Sequence, residues 1–365
     1  MKRTFNLLVI SALLIVVIFT SCKPIVDIPE QKVESITSFY LLNEGLMGTN
    51  NASLDFYDYE TQYFSVDIFS QINPSVLGGL GSIGNDLQIY GSKLYAVINA
   101  SGLVEVMDAK TAQHIGVVEI PNCRNINFYD GKAYISSYAG PIFGSSQLGY
   151  VAEVDTNSLQ LQILRQVNVG YQPEEIEFLN GKMYVANSGG YNPPNYDNTI
   201  SVIDLQTFTE TKKIKIAQNL DKLRKDKYGK LYVLGRGNYG SVKPDIYVVE
   251  NDEMVKKLGI YYPANFCISG DSLYILSNDL VSSKYIIYDI KTQKVVTENF
   301  ITDGTEAAIQ SPFGITVNPI TKEIFVTDAK NYSSLGELFC FSPDGKKLWS
   351  VTTGVCPNRI AFLKE

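Results

Sequence analysis

The chain has 365 residues, 45% hydrophobic and 12% aromatic, with 24 Tyr but one Trp and one His. That is ample apolar material for a large core, and an excess of 38 acidic over 31 basic residues argues against nucleic acid, whose phosphates need cationic partners. The five cysteines include no C-x-x-C pair and no metal-ligand spacing, and a chain of this size needs no disulfide framework, although an oxidising compartment would permit one bond.

At the amino terminus Lys2 and Arg3 precede an apolar run from Phe5 to Phe19, which ends in Thr20-Ser21-Cys22. A basic head, an apolar stretch and small residues before a Cys are the parts of a secretory signal, and a run of about 15 residues falls short of the ~20 needed to span a bilayer. The order of parts is that of a lipobox, so Cys22 is expected to carry lipid, followed by a polar, Pro-containing tether. The expected divisions are a signal peptide over 1–21, a tether over 22–36 and one domain over 37–365. Removing Lys2 and Arg3 leaves 29 basic against 38 acidic residues, a mature balance of −9.

Along that domain one phrase recurs: an apolar pair, a turn carrying Gly or Lys, then an apolar residue, an aromatic and a β-branched or apolar residue. It first runs Ile89-Tyr90-Gly91-Ser92-Lys93-Leu94-Tyr95-Ala96-Val97. Further copies place their aromatic at Tyr134, Tyr184, Tyr232, Tyr274 and Phe325. Asn-Gly and Asp-Gly between apolar runs signal hairpins, because both central positions take positive φ. A third strand follows each hairpin and ends in a similar way, with Asp-x-x-Thr turns at Asp108 to Thr111 and Asp204 to Thr207 as examples, and a fourth runs outward. Four strands per unit of roughly 40–50 residues is a propeller period.

A seventh copy opens the domain at Phe39-Tyr40-Leu41-Leu42 but lacks the strand before it. The missing phrase stands at the other end, in Pro357-Asn358-Arg359-Ile360-Ala361-Phe362-Leu363, which repeats Pro173-Glu174-Glu175-Ile176-Glu177-Phe178-Leu179. The expected fold is therefore all-β: a seven-bladed propeller of four-stranded antiparallel blades, closed by a C-terminal strand that completes the N-terminal blade. Such a strand would pin a ring that otherwise exposes two further sheet edges where the chain ends meet.

Chemistry-bearing motifs are sparse. Gly235-Arg236-Gly237-Asn238-Tyr239-Gly240 fits G-x-G-x-x-G, but a strand follows where a dinucleotide site needs a helix, so it is read as a loop. His114 falls on an outer strand, and no Ser–His–acid set can be built around it, so no catalytic residue is assigned. Asp86, Asn125, Glu174, Glu175, Asn265 and Asn358 lie near first-strand entrances, where a channel metal could be held by carboxylates and amides. Solvation by channel water is the preferred reading, and no metal or cofactor is assigned. The cluster Lys222, Arg224, Lys225, Lys227 and Lys230 reads as a solvated turn. The loops from second to third strands are instead long and rich in Tyr, Asn and Gly. They offer Tyr138, Phe143, Asn187, Tyr191, Tyr196, Arg236, Tyr239 and Tyr332 as ligand contacts, Tyr giving broad apolar area and a hydroxyl at low entropic cost.

The lipobox-like start, the Gly-Lys-x-Tyr-Val phrase, the early Asn43-Glu44-Gly45 and the end-to-end closure together resemble the YncE/DUF5074-like propeller lipoproteins of Bacteroidetes. The resemblance covers residues 37 to 365. That group includes BtuG-type surface proteins that capture cobalamin for an outer-membrane transporter. The resemblance implies a non-enzymatic, surface-anchored propeller that binds a small molecule, with cobalamin-like compounds leading, and an outer-membrane transporter as partner. Surface display follows from the resemblance alone, since only Asp27 and Glu30 supply acidic charge after Cys22, and a periplasmic-side lipoprotein is the alternative. A channel-metal lactonase and a protein- or glycan-interaction scaffold are the rival functions.

Overall fold

The computed structural model describes residues 35–143, 147–157, 161–279 and 281–364. The expected signal peptide, Cys22 and most of the tether lie outside the described residues. Among the described residues 28 strands form seven four-stranded antiparallel sheets. Blade 1 holds β1 (Ile36–Asn43), β2 (Ser53–Asp58) and β3 (Tyr63–Ser65), with β28 (Pro357–Lys364) as its innermost strand. Closure is as the sequence implies: Phe39 faces Phe362, Tyr40 faces Ala361 and Leu41 faces Ile360 across the β1–β28 pair.

The other six blades run in chain order from the axis outward. Their inner strands are β4 (Gly84–Tyr90), β8 (Cys123–Tyr129), β12 (Pro173–Leu179), β16 (Leu220–Lys225), β20 (Pro263–Ser269) and β24 (Pro312–Val317). The repeated aromatic earns its place between blades. Tyr95 lies 4.8 Å from Phe128 on the next inner strand, and Tyr134 lies 5.1 Å from Phe178. Phe325 of blade 7 meets Phe39 and Phe362 of blade 1 at 5.2 and 5.9 Å, so the same contact closes the ring. Each buried aromatic contributes roughly 1.5–3 kcal/mol relative to exposure, and repetition around the ring makes neighbouring blades mutually dependent.

The Asp-x-x-Thr turns behave as their side chains dictate. Asp108 Oδ1 accepts from the backbone N–H groups of Lys110 and Thr111 and from the Thr111 hydroxyl, at 3.0, 2.9 and 3.0 Å. These turns share one face of the ring with the hairpin turns at Gly91, Gly131 and Gly181. The opposite face carries the long loops, including residues 44–52, 188–198 and 236–244. His114 sits on the outer strand β7 (His114–Glu119), as expected, with Nδ1 2.5 Å from Glu105 Oε1. The four described cysteines are free.

Candidate functional site

The inner strands share a local irregularity that builds the site. Each of the seven breaks its pairing register near its first residues, at Gly84/Asp86, Cys123/Ile126, Pro173/Ile176, Leu220/Leu223, Pro263/Asn265, Pro312/Ile315 and, on β28, between Arg359 and Pro357. A bulge bends a strand and re-aims its side chains. Successive residues that would alternate between faces therefore both reach the axial channel. At the second position stand Asn85, Arg124, Glu174, Asp221, Ala264, Phe313 and Asn358. At the third stand Asp86, Asn125, Glu175, Lys222, Asn265, Gly314 and Arg359.

The third-position layer binds the ring together and divides the channel. Glu175 Oε2 accepts from the Leu223 N–H of the next blade at 2.8 Å, and its carboxylate contacts Arg224 and Arg359. Asp86 Oδ2 accepts from Ile126 N–H at 3.0 Å, and Asn265 Nδ2 donates to the Phe313 carbonyl at 2.8 Å. These groups tie adjacent inner strands, so Asp86, Glu175 and Asn265 are scaffold rather than free channel ligands. Among the described residues no three His, Cys, Asp or Glu side chains are grouped to hold a metal ion.

On the tight-turn side of this layer lies a cavity of about 420 Å³, lined by Gln88, Asn127, Glu177, Arg224 and Arg359 among others. Its amides are committed too: Gln88 and Asn127 donate to the carbonyls of Ile126 and Ile176 on neighbouring blades. On the long-loop side lies a chamber of about 240 Å³. Its polar wall is Glu44, Asn85, Asn99, Arg124, Asn125, Glu174, Asp221, Lys222, Arg236 and Asn358, and its apolar rim is Met47, Ile83, Ile142, Tyr191 and Phe313.

Charges in this chamber are buried and interlocked. Arg124 Nε donates to Glu174 Oε2 at 3.1 Å, and its guanidinium faces the Asn85 amide oxygen at 2.9 Å in the amide orientation that satisfies both groups. The Tyr138 hydroxyl donates to the other Glu174 oxygen, and the Arg124 guanidinium lies 4.9 Å from the centre of the Tyr138 ring. Burial and the nearby Glu174 charge hold the Tyr138 phenol well above its ordinary range. Arg236 reaches Asp221 at 2.7 Å. Burial pushes the Lys222 ammonium down to about 8, against the pull of Asp221, and raises the Glu44 carboxyl.

The eight expected contacts divide. Tyr191 and Arg236 line the chamber, and Phe143 packs edge-on against Tyr191 at 5.4 Å. Tyr332 packs against the rim residue Phe313 at 5.8 Å. Tyr196 and Tyr239 form a separate edge-to-face pair at 6.4 Å, with Tyr239 exposed. Tyr138 is buried, so it holds Glu174 and Arg124 instead of presenting a surface. Asn187 is also buried. It accepts from Gly170 N–H at 3.0 Å and donates to Ser201 Oγ at 3.0 Å, a structural task that Asn43 repeats with Ser53 in blade 1.

The basic cluster needs correction. Lys225, Lys227 and Lys230 surround the turn, but Lys222 and Arg224 point into the channel, because alternation along β16 puts both on its axial face. Lys222, Asp221 and Arg124 were missed as site residues. The signal was present, since Lys222 occupies the same strand position as Asp86, Asn125, Glu175, Asn265 and Arg359.

Residues 37–349 match the model of a family described as "Domain of unknown function (DUF5074)". No curated protein matches. Among solved structures, a hypothetical selenium-binding protein from Sulfolobus tokodaii superposes with a TM-score of 0.64 at 12% identity, covering 91% of this chain and 94% of its own. A putative 6-phosphogluconolactonase from Bacteroides fragilis gives 0.60 at 10% identity, with 90% and 98% covered. A quinonprotein alcohol dehydrogenase-like protein from Bacteroides thetaiotaomicron gives 0.57 at 18% identity, with 91% and 79% covered. At these identities the likeness is one of fold.

Proposed function

We propose, from the premise that the chain belongs to the DUF5074 family, that its propeller is a ligand-binding scaffold whose binding end is the long-loop mouth of the channel. The observation that carries this reading is the chamber itself: buried polar groups converge at one end of the axis, beneath a rim of aromatic and apolar side chains. A few placed polar groups inside an apolar collar are the usual composition of a small-molecule site.

The finer reading is a lipoprotein anchored through Cys22 at the cell surface that captures a cobalamin-like compound for an outer-membrane transporter. Supporting it are the lipobox-like start and the match between an apolar corrin rim bearing amides and a rim of Tyr191, Phe143 and Phe313 beside Asn and Arg donors. A chamber of about 240 Å³ is smaller than a typical drug-sized pocket, so a corrin would lie across the rim and lower one side arm into it. Titration of the purified protein with cyanocobalamin, read by heat and by the corrin spectrum, tests this. Saturable micromolar binding supports the reading, and silence in both channels removes cobalamin. Substituting Cys22→Ala should release the protein from the membrane fraction, and retained fatty-acid labelling of that variant would refute the anchor.

A further inference from the structure

The chamber floor holds one cation that the others leave over. Arg124 is matched by Glu174, Arg236 by Asp221, Arg224 by Glu175, and Arg359 by Asp86 at 3.5 Å as well as by Glu175. Lys222 has only what those pairs share: Asp221 Oδ1 at 3.5 Å and Glu175 Oε1 at 3.7 Å. Its side chain is 11% exposed, too enclosed for bulk water to solvate three ammonium donors fully. The third carboxyl nearby does not redress the balance. Glu44 accepts from the Asn358 amide, and burial biases it toward its neutral form. Around Lys222 the wall is amide. Asn85 accepts from Arg124, Asn99 donates to the Cys123 carbonyl and Asn358 donates to Glu44, whereas the Asn125 side chain makes no hydrogen bond among the described residues.

We infer that this chamber is a carboxylate subsite, in which Lys222 is the counter-ion for a compact hydroxylated acid of the sugar-acid class and the uncommitted Asn125 amide takes one of its hydroxyls. The inference rests on the long-loop mouth being the binding end and names the chemistry of its floor. A carboxylate supplies the missing charge at short range, and a hydroxyl suits an amide that both donates and accepts. The volume suits a compact acid better than a macrocycle.

The charged groups facing Lys222 are Asp221, Glu174, Glu175, Glu44, Arg236 and Arg359. Against its burial, Arg236 and Lys222 hold the Asp221 carboxyl below its ordinary range, and burial holds the Lys222 ammonium down to about 8, so Lys222 loses its charge as pH rises past neutral. An arriving carboxylate favours its charged form, so affinity is full below pH 8, falls above it, and binding at pH 8 takes up a proton.

The experiment is calorimetry on the purified protein with three probes: glucuronate, its methyl ester and glucose. Glucuronate is expected to bind, with the ester and glucose at least ~tenfold weaker. Lys222→Met should remove that preference with the melting temperature retained, and Lys222→Arg should restore part of it. Equal binding of glucuronate and its ester, or unchanged glucuronate affinity in Lys222→Met, overturns the carboxylate subsite. Cyanocobalamin binding that Tyr191→Ala weakens, with no glucuronate binding, overturns the subsite while leaving the long-loop mouth as the binding end. Glucuronate binding that survives Lys222→Met but is lost in Arg224→Ala places the acid in the opposite cavity and overturns both.

Discussion

The two mouths of the channel are built from the same seven strands, yet they differ in what their polar side chains are free to do. At the tight-turn mouth Gln88, Asn127 and Glu177 lie on regular strand and bond to backbone groups of the next blade. At the long-loop mouth the bulged strand starts push two successive residues toward the axis. Asp86, Glu175 and Asn265 then tie neighbouring blades, while Asn125 and Lys222 from the same layer join the second-position residues in facing a chamber. The larger cavity is thus the more committed to scaffold, and the smaller one has the better claim to a ligand. Of the two channel cavities, size alone would favour the other end.

The largest expected effect tests the frame common to both mouths. Deleting residues 356–365 removes β28, strips β1 of its partner and opens the ring between Phe325 and Phe39. The loss is several kcal/mol, since Ile360, Ala361 and Phe362 sit in that seam and buried apolar side chains contribute roughly 1.5–3 kcal/mol each. A truncated protein that melts like the full chain would break the closure account.

Next comes the layer that separates the mouths. Glu175→Ala leaves Arg224 without its carboxylate and Arg359 with Asp86 alone at 3.5 Å, at a cost of about 3–5 kcal/mol by denaturant unfolding. A cost below about 1 kcal/mol would mean that the layer is a solvated surface and the two cavities one channel.

A third effect lies in the closing seam, away from both mouths. Asp55 accepts from the N–H groups of Asp67 at 2.9 Å and Gly354 at 3.3 Å, and burial raises its carboxyl to about 6. The fold then holds a proton that the unfolded chain has released, so this group's contribution declines as pH rises from about 4 through 6. Asp55→Asn stays neutral. Its stability relative to wild type should therefore improve by roughly 2–3 kcal/mol between pH 4 and pH 7.5, with ligand binding unaffected. A difference that does not change with pH would show that Asp55 is ionised throughout.

The ring was legible in the sequence because the inter-blade aromatic, the hairpin turn and, in several blades, the Asp-x-x-Thr turn answer local demands that recur around it. Phe39 and Phe362, at opposite chain ends, could be matched for the same reason. The site was only partly legible. Tyr138 reads as a loop residue, but it follows β9 (Lys132–Ser137) directly and tucks beneath Arg124, which sequence spacing does not reveal. Asn187 reads as a loop contact until its pairing with Ser201 is set beside Asn43 and Ser53. Lys222 was hidden in a run of basic residues that crosses from strand into turn, where charge pattern suggests solvent and strand alternation decides otherwise.

The central claim is that ligand is taken at the long-loop mouth, and two exposed tyrosines on opposite faces test it most directly. Tyr191 lines the chamber, whereas Tyr228 stands on a tight turn with its hydroxyl 2.6 Å from Asp271. Cyanocobalamin affinity should be measured for wild type, Tyr191→Ala and Tyr228→Ala, with melting temperatures alongside. Tyr191→Ala should weaken binding by ~2 kcal/mol, about thirtyfold, while Tyr228→Ala leaves it unchanged and neither shifts stability by more than about 0.5 kcal/mol. Affinity lost in Tyr228→Ala and kept in Tyr191→Ala would put the ligand on the other face and contradict the account.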